Sequence, residues 1–168
     1  MVDFSVSPEV RELRRKVTVF MEEHIYPNEP VFHEGNPEAA QALMKELQAK
    51  TKAAGMWALF IDPEAGGNGT GFLPYAYVNE ILGRSPIAPR AFGCAAPDTG
   101  NAEILHQFGS QEQKERWLKP LVAGEIRSCF SMTEPDVSGA DPTGLQTRAV
   151  RDGDEWVING HKWFTSGA

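Results

Sequence analysis

Apolar residues recur every three or four positions through the first two-thirds of this chain and every second position in the last third. That change of period predicts helices followed by strands. Ser7-Pro8-Glu9 starts the first helix. The serine oxygen suits an orphan amide, proline suits the first helical position, and the glutamate lies at the positive end of the helix dipole. Val10, Leu13, Val17, Phe20, Met21 and His24 share one face, and Pro27 and Pro30 are expected to close the segment. Asn36-Pro37-Glu38 opens a second helix carrying Ala40, Leu43, Met44 and Leu47, ending near Gly55. Pro74 opens a third with Tyr75, Val78, Ile81 and Leu82, stopped between Gly83 and Pro86. A short fourth runs from Thr99 to Gln107, with Gly109 as its stop. Ser110 and Gln113 form a capping box for the next, whose expected buried face is Trp117, Leu118, Leu121 and Val122.

Past Gly124, Ile126, Ser128, Phe130 and Met132 alternate with Arg127, Cys129 and Ser131. A loop rich in Pro, Asp and Gly covers Glu134 to Gly144, and Leu145, Thr147 and Ala149 then alternate with Gln146, Arg148 and Val150. Asp152-Gly153 and Asn159-Gly160 are hairpin signals on either side of Trp156 to Ile158, and His161 to Ser166 reads as one more strand. The expected organisation is an all-α domain over residues 1–125 and an antiparallel β domain over residues 126–168. Trp163 and Phe164 would lie on an uncovered edge, whereas exposed apolar strands are normally paired, covered or charged. The β domain therefore reads as incomplete, and the chain as a piece of a longer protein.

Composition narrows the function classes. The chain has 168 residues, 41% of them hydrophobic, with 16 Lys and Arg against 23 Asp and Glu and a net charge of −7. Nucleic-acid binding needs clustered positive charge to displace counterions, and this pattern excludes it. Cys94 and Cys129 make neither a disulfide framework nor a four-thiolate metal site, and they fit a reducing compartment. Met1 to Ser5 hold no basic stretch before an apolar core, so no secretory signal is read. The longest nearly apolar run, Ala53 to Ile61, is far short of the ~20 residues that span a bilayer. A soluble, acidic, cytoplasmic protein is expected.

Several constellations are weighed for chemistry. The run Gly66-Gly67-Asn68-Gly69-Thr70-Gly71 suggests a phosphate loop but lacks the Gly-Lys-Ser/Thr ending, so a connector is the better reading. His24, His33, His106 and His161 show no metal-ligand spacing, and Asp136 and Asp141 read as solvated loop carboxylates. More informative is Phe130 to Asp141, a strand entering a loop that gathers hydroxyls, a carboxylate and flexible backbone. Amides in such a turn can face an anion or a polar ring edge. Trp163-Phe164-Thr165-Ser166 adds aromatics beside hydroxyls, which suits a flat heterocycle, although strand packing explains it equally well.

Four motifs, in this order, carry a resemblance. They are Pro63-Glu64 with Gly66-Gly67, Gly109 to Leu118 with Pro120-Leu121 and Gly124-Glu125, Met132-Thr133-Glu134-Pro135, and Trp156 to Phe164. Over essentially its whole length the chain resembles the N-terminal part of the acyl-CoA dehydrogenases. Glu22 to Pro27 and Ala96 to Asn101 are most similar to the subgroup of family members ten and eleven.

The resemblance implies a helical domain, a β-barrel-like middle domain cut short here, and a C-terminal four-helix domain outside this chain. It also implies FAD, a fatty acyl-CoA thioester undergoing α,β-dehydrogenation within fatty-acid β-oxidation, electron-transferring flavoprotein as acceptor, and a homodimer or homotetramer. By position, Phe130, Met132, Thr133, Ser138, Gly139 and Ala140 match the strand and loop that hold the flavin. Phe164, Thr165 and Ser166 match the strand against its ring, with phenylalanine where tryptophan is usual and Ser166 where threonine bonds near the reactive edge. Ala140 falls where many members carry a serine that touches cofactor or substrate. The loop is one residue longer than the common pattern, which leaves Ser138 as the alternative hydroxyl. The acyl channel is expected around Thr99 to Leu105. The family's catalytic base belongs to the C-terminal domain, so neither Glu80 nor Glu134 is given that role. An acyl-CoA oxidase and a non-catalytic interaction module of the same fold are the rival readings.

Overall fold

The structure, a computed structural model, describes residues 5–168; the opening Met1 to Phe4, on which the secretory-signal reading bears, lies outside the described residues. Two compact units divide the chain, one ending at Ile126 and the other spanning Arg127–Ala168.

In the helical unit, α1 (Pro8–Phe20) begins where its cap predicts, with Ser7 Oγ accepting from the Val10 amide at 3.3 Å. Pro27 and Pro30 do not close this segment. A π-helical turn, Met21–Ile25, and a tighter turn, Tyr26–Asn28, lead directly into α2 (Glu29–His33). Both prolines occupy the first turn of a short element, where a missing N–H costs nothing. Asn36 caps α3 (Pro37–Ala53), its Oδ1 accepting from the Ala39 amide at 3.1 Å. The next helix, α4 (Phe72–Leu82), starts before the expected Pro74, because Gly71 takes the cap position and Pro74 still lies in the first turn. The single turn α5 (Ala88–Ala91) is too short for a period to reveal. Then comes α6 (Asp98–Phe108), followed by the capping box, in which the Gln113 amide donates to Ser110 Oγ at 3.2 Å and the Ser110 amide to Gln113 Oε1 at 2.8 Å. That box heads α7 (Gln111–Gln113), a π-helical turn at Lys114–Leu118, and α8 (Lys119–Val122). The wider turn breaks the three-and-four spacing. Leu118, Leu121 and Val122 are buried as expected, but Trp117 is exposed, with the Arg116 guanidinium 5.1 Å from its ring centre.

One apolar cluster joins Val17, Met21 and Ile25 to Leu47, Val78, Leu82 and Phe92. A second is built on Trp57, with Ile61, Ala102, Leu118, Leu121 and Val122 around it. The Trp57 indole N–H donates to the Val122 carbonyl at 2.7 Å, which satisfies its one polar atom. Lys52 places its ammonium 4.5 Å over the indole and donates to the Ala123 carbonyl at 2.7 Å. No helix among the described residues is long and apolar enough to cross a membrane.

In the second unit, β1 (Arg148–Asp152) and β2 (Glu155–Asn159) pair antiparallel, with Arg148 opposite Asn159 and Asp152 opposite Glu155. The hairpin signal at Asp152-Gly153 is used, the two turn residues being Gly153 and Asp154. The Asn159-Gly160 signal is not. There a Cβ on residue 160 would lie 2.0 Å from Thr147 Oγ1, so the glycine permits a close chain passage rather than a reversal. Neither the 126–132 segment nor the 161–166 segment forms a continuous strand; they share one isolated antiparallel bridge, Phe130 to Ser166.

Gly93 offers a test of the Trp57 cluster. Its φ is +66°, and a Cβ there would meet Trp57 Cε2 at 2.6 Å. Gly55 has a similar φ of +67° with nothing within 4 Å. We expect Gly93→Ala to destabilise the protein by about 2 to 4 kcal/mol, combining left-handed strain with overpacking. Gly55→Ala should cost only the strain, about 1 to 2 kcal/mol. Urea unfolding of both variants measures the difference, and equal midpoints would mean that the indole does not press on residue 93.

Candidate functional site

The candidate flavin-site residues lie in the second unit, on two extended segments and one loop, whereas Thr99 to Leu105, expected to line an acyl channel, lie in the helical unit. The Phe130 amide donates to the Ser166 carbonyl at 3.2 Å, and the Trp163 amide to the Thr133 carbonyl at 3.1 Å. Ser131 Oγ and Thr165 Oγ1 are 3.1 Å apart, and Lys162 Nζ is 2.8 Å from Glu134 Oε1. All four contacts fit one antiparallel register. Phe164 explains why the pairing does not grow into a ladder. Its φ is +49°, a left-handed conformation that a pleated strand cannot contain. The kink leaves the Phe164 ring 82% exposed, tilted against Trp163 with ring centres 4.9 Å apart.

Glu134 is the junction. Its Oε2 accepts from the Gln146 amide at 2.7 Å, and its Oε1 from the Thr147 amide at 2.8 Å as well as from Lys162. Lys162 Nζ also donates to the Met132 carbonyl at 2.7 Å. Glu134 is only 5% exposed. The Lys162 ammonium first, then Thr147 and Gln146, hold its carboxyl down to about 2, well below the ordinary 4.5.

The loop after Glu134 is shaped by its own side chains. Ser138 Oγ accepts from the Ala140 amide at 3.4 Å, and Asp141 Oδ1 accepts from the Thr143 amide and hydroxyl at 3.0 and 2.6 Å. A Cβ on Gly139 would touch Thr133 Cγ2 at 3.8 Å, so the loop returns to Thr133. The structure thus gathers Phe130, Met132 and Thr133 with Phe164, Thr165 and Ser166, and brings Gly139 to Thr133. Ser138 and the exposed Ala140 flank that glycine. Among the described residues, the Thr133 amide, Thr133 Oγ1 and Ser166 Oγ have no hydrogen-bond partner.

Sequence reasoning missed the roles of Lys162, Gln146 and Thr147. A carboxylate just after one candidate strand and an amine within another were a usable signal for Lys162. The other two contribute main-chain amides, which leave no trace in residue type.

The remaining candidates are occupied elsewhere. In the glycine-rich run, the amides of Gly66, Gly67, Asn68 and Gly69 donate to Pro63, Asp62, Ala58 and Ile61 carbonyls at 2.8 to 3.2 Å. Spent on its own fold, this loop is a connector. Glu80 is paired with Arg14 and Arg84, each at 3.0 Å. Among the described residues no three His, Cys, Asp or Glu side chains gather as a metal site.

Comparison with known proteins follows the same division. Residues 7–125 match the family model described as acyl-CoA dehydrogenase, N-terminal domain, and residues 129–168 match the middle domain. The chain is 44% identical to the probable acyl-CoA dehydrogenase FadE2 of Mycobacterium tuberculosis, with 99% of the chain and 42% of FadE2 covered. It is 43% identical to acyl-CoA dehydrogenase family member 10 of Mus musculus, over 96% of the chain and 16% of that protein. It therefore spans well under half the length of these relatives. Among solved structures, a putative acyl-CoA dehydrogenase from Mycobacterium abscessus superposes with a TM-score of 0.86 at 44% identity, covering 97% of this chain and 43% of that one. A glutaryl-CoA dehydrogenase from Mycobacterium smegmatis, solved in complex with FADH2, gives a TM-score of 0.66 at 28% identity, covering 95% and 39%.

The Glu134 junction has a pH signature. A carboxyl depressed in the folded state contributes stability that is complete above its ordinary value near 4.5 and is lost as pH falls toward 2. Thermal unfolding followed from about pH 6 to about pH 2 should show this loss in the wild type. Glu134→Gln should unfold earlier at the upper end and converge with the wild type at the lower. Parallel profiles would remove the carboxylate from this role.

Proposed function

The chain belongs to the acyl-CoA dehydrogenase family, with the fold of its N-terminal and middle domains, and from that premise we propose that the Phe130–Thr133 and Phe164–Ser166 segments form one wall of an FAD pocket. The observation that carries this is their antiparallel pairing, closed by the bond from the Phe130 amide to the Ser166 carbonyl at 3.2 Å. It sets an exposed aromatic face beside unpaired donors, as a flat heterocycle with polar edges requires.

The residues present fit a flavin. Thr133 offers its amide and hydroxyl to a polar ring edge, Ser166 offers a hydroxyl, and Phe164 offers an apolar surface. Gly139 lets the 138–140 loop come close to Thr133, with Ser138 as a further hydroxyl beside Ala140, the residue proposed to face substrate. Bound FAD supplies the two-electron oxidant for α,β-dehydrogenation of an acyl-CoA thioester, and electron-transferring flavoprotein is the proposed acceptor. The FADH2 complex of the M. smegmatis relative supports the cofactor. Glu80 and Glu134 are both held in ion pairs, which supports a base supplied from outside these residues. We further propose that the intact protein works as a homodimer or homotetramer, as the family resemblance implies.

The test is a titration of the intact apo-protein with FAD, followed by single-turnover reduction with acyl-CoA. One FAD is expected to bind, and colourless protein that takes up none would defeat the reading. Ser166→Ala should slow reduction roughly 30- to 1000-fold, far more than it weakens substrate binding, the effect of losing one transition-state donor of about 2 to 4 kcal/mol. An unchanged reduction rate would exclude Ser166 from the chemistry.

A further inference from the structure

Lys162 does more than join two extended segments. Its ammonium lies 2.7 Å from the Met132 carbonyl and 2.8 Å from Glu134 Oε1, and its side chain is 22% exposed. The Met132 carbonyl and the Thr133 amide are opposite ends of one trans peptide group. A cation on the oxygen draws electron density from that group and strengthens its N–H as a donor, as hydrogen bonds in series polarise one another. Among the described residues the Thr133 N–H has no acceptor. The Met132 carbonyl is thus charge-assisted at its oxygen while the other end of the same peptide remains free for a ligand.

Glu134 makes this arrangement specific. With Gln146 and Thr147 amides donating to its two oxygens at 2.7 and 2.8 Å, the carboxylate cannot swing away, so it fixes where the lysine terminus can sit. A lysine is otherwise a flexible cation that gives up considerable rotamer entropy when held. Here it is held between one carboxylate and one carbonyl.

We propose that Lys162 is a positioning residue of the cofactor pocket: steered by Glu134, it polarises the Met132–Thr133 peptide so that the Thr133 amide is a strengthened donor to the polar edge of the flavin. The proposal rests on the flavin reading given above. Reduction places negative charge on the flavin ring, so a strengthened donor favours the reduced form more than the oxidised form. A merely structural cross-link would alter how tightly FAD binds in both redox states alike.

The experiment uses the intact protein reconstituted with FAD and measures two quantities, the FAD dissociation constant and the midpoint potential by equilibration with a reference dye. Lys162→Arg keeps the charge and should leave the potential near that of the wild type. Lys162→Met should shift the reduction equilibrium roughly tenfold toward oxidised FAD, which is about 30 mV for a two-electron couple. Lys162→Gln removes the charge but keeps a neutral donor and should shift the equilibrium the same way by a smaller amount, and it decides the matter if the methionine variant does not fold. A potential unchanged in Lys162→Gln, with FAD bound, overturns the proposal and leaves the flavin reading intact. Wild-type protein that takes up no FAD overturns both.

Discussion

The second unit depends on one carboxylate. It has only a two-stranded sheet, and every residue of both strands is exposed, so apolar burial contributes little to holding its segments together. Glu134 substitutes for a core by accepting from three donors on two other stretches of chain: the adjacent Gln146 and Thr147 amides and the Lys162 ammonium. Charge-assisted hydrogen bonds are shorter and stronger than neutral ones, and leaving any of these groups buried without its partner would be costly. Through this junction the Met132–Thr133 peptide and the Phe164–Ser166 segment acquire defined places, which is the precondition for any ligand wall.

The helical unit is held differently. Trp57 fills the centre of one cluster and uses its single polar atom on the Val122 carbonyl. The close approach of Gly93 and Gly124 to the same ring means that no side chain larger than hydrogen fits at either position without displacing the indole. The glycine-rich stretch after Ile61 turns its amides inward to the carbonyls of Ala58, Ile61, Asp62 and Pro63. That internal use separates it from a phosphate loop, whose amides must remain free to converge on an anion.

Phe164 links backbone geometry to function. A left-handed phenylalanine is sterically costly, and such conformations persist only where the surroundings over-determine them. Here the Trp163 amide on one side and the Ser166 carbonyl on the other are both tied to the facing segment. Between them the chain turns the aromatic ring outward. The kink that spoils a strand is therefore what leaves an apolar ring exposed two residues before Ser166, the arrangement on which the proposed flavin wall rests.

Much was legible from sequence, for a local reason. Helix caps at Ser7, Asn36 and Ser110, the hairpin at Asp152-Gly153, and the ordered motifs that mark the family all depend on neighbours within a few residues. Their chemistry is written in residue type. What sequence could not fix depends on contacts across long separations. Alternation predicted a strand through Phe164, but the chain is left-handed there, between residues 163 and 166 that are tied to residues 133 and 130. Three-and-four spacing predicted a buried Trp117, but a π-helical turn rotated it outward. Glu134 and Lys162 were both visible within motifs, yet their pairing required chain segments 28 residues apart to share one register. The main-chain amides that complete the junction carry no residue signature at all, so only the tertiary fold could assign them.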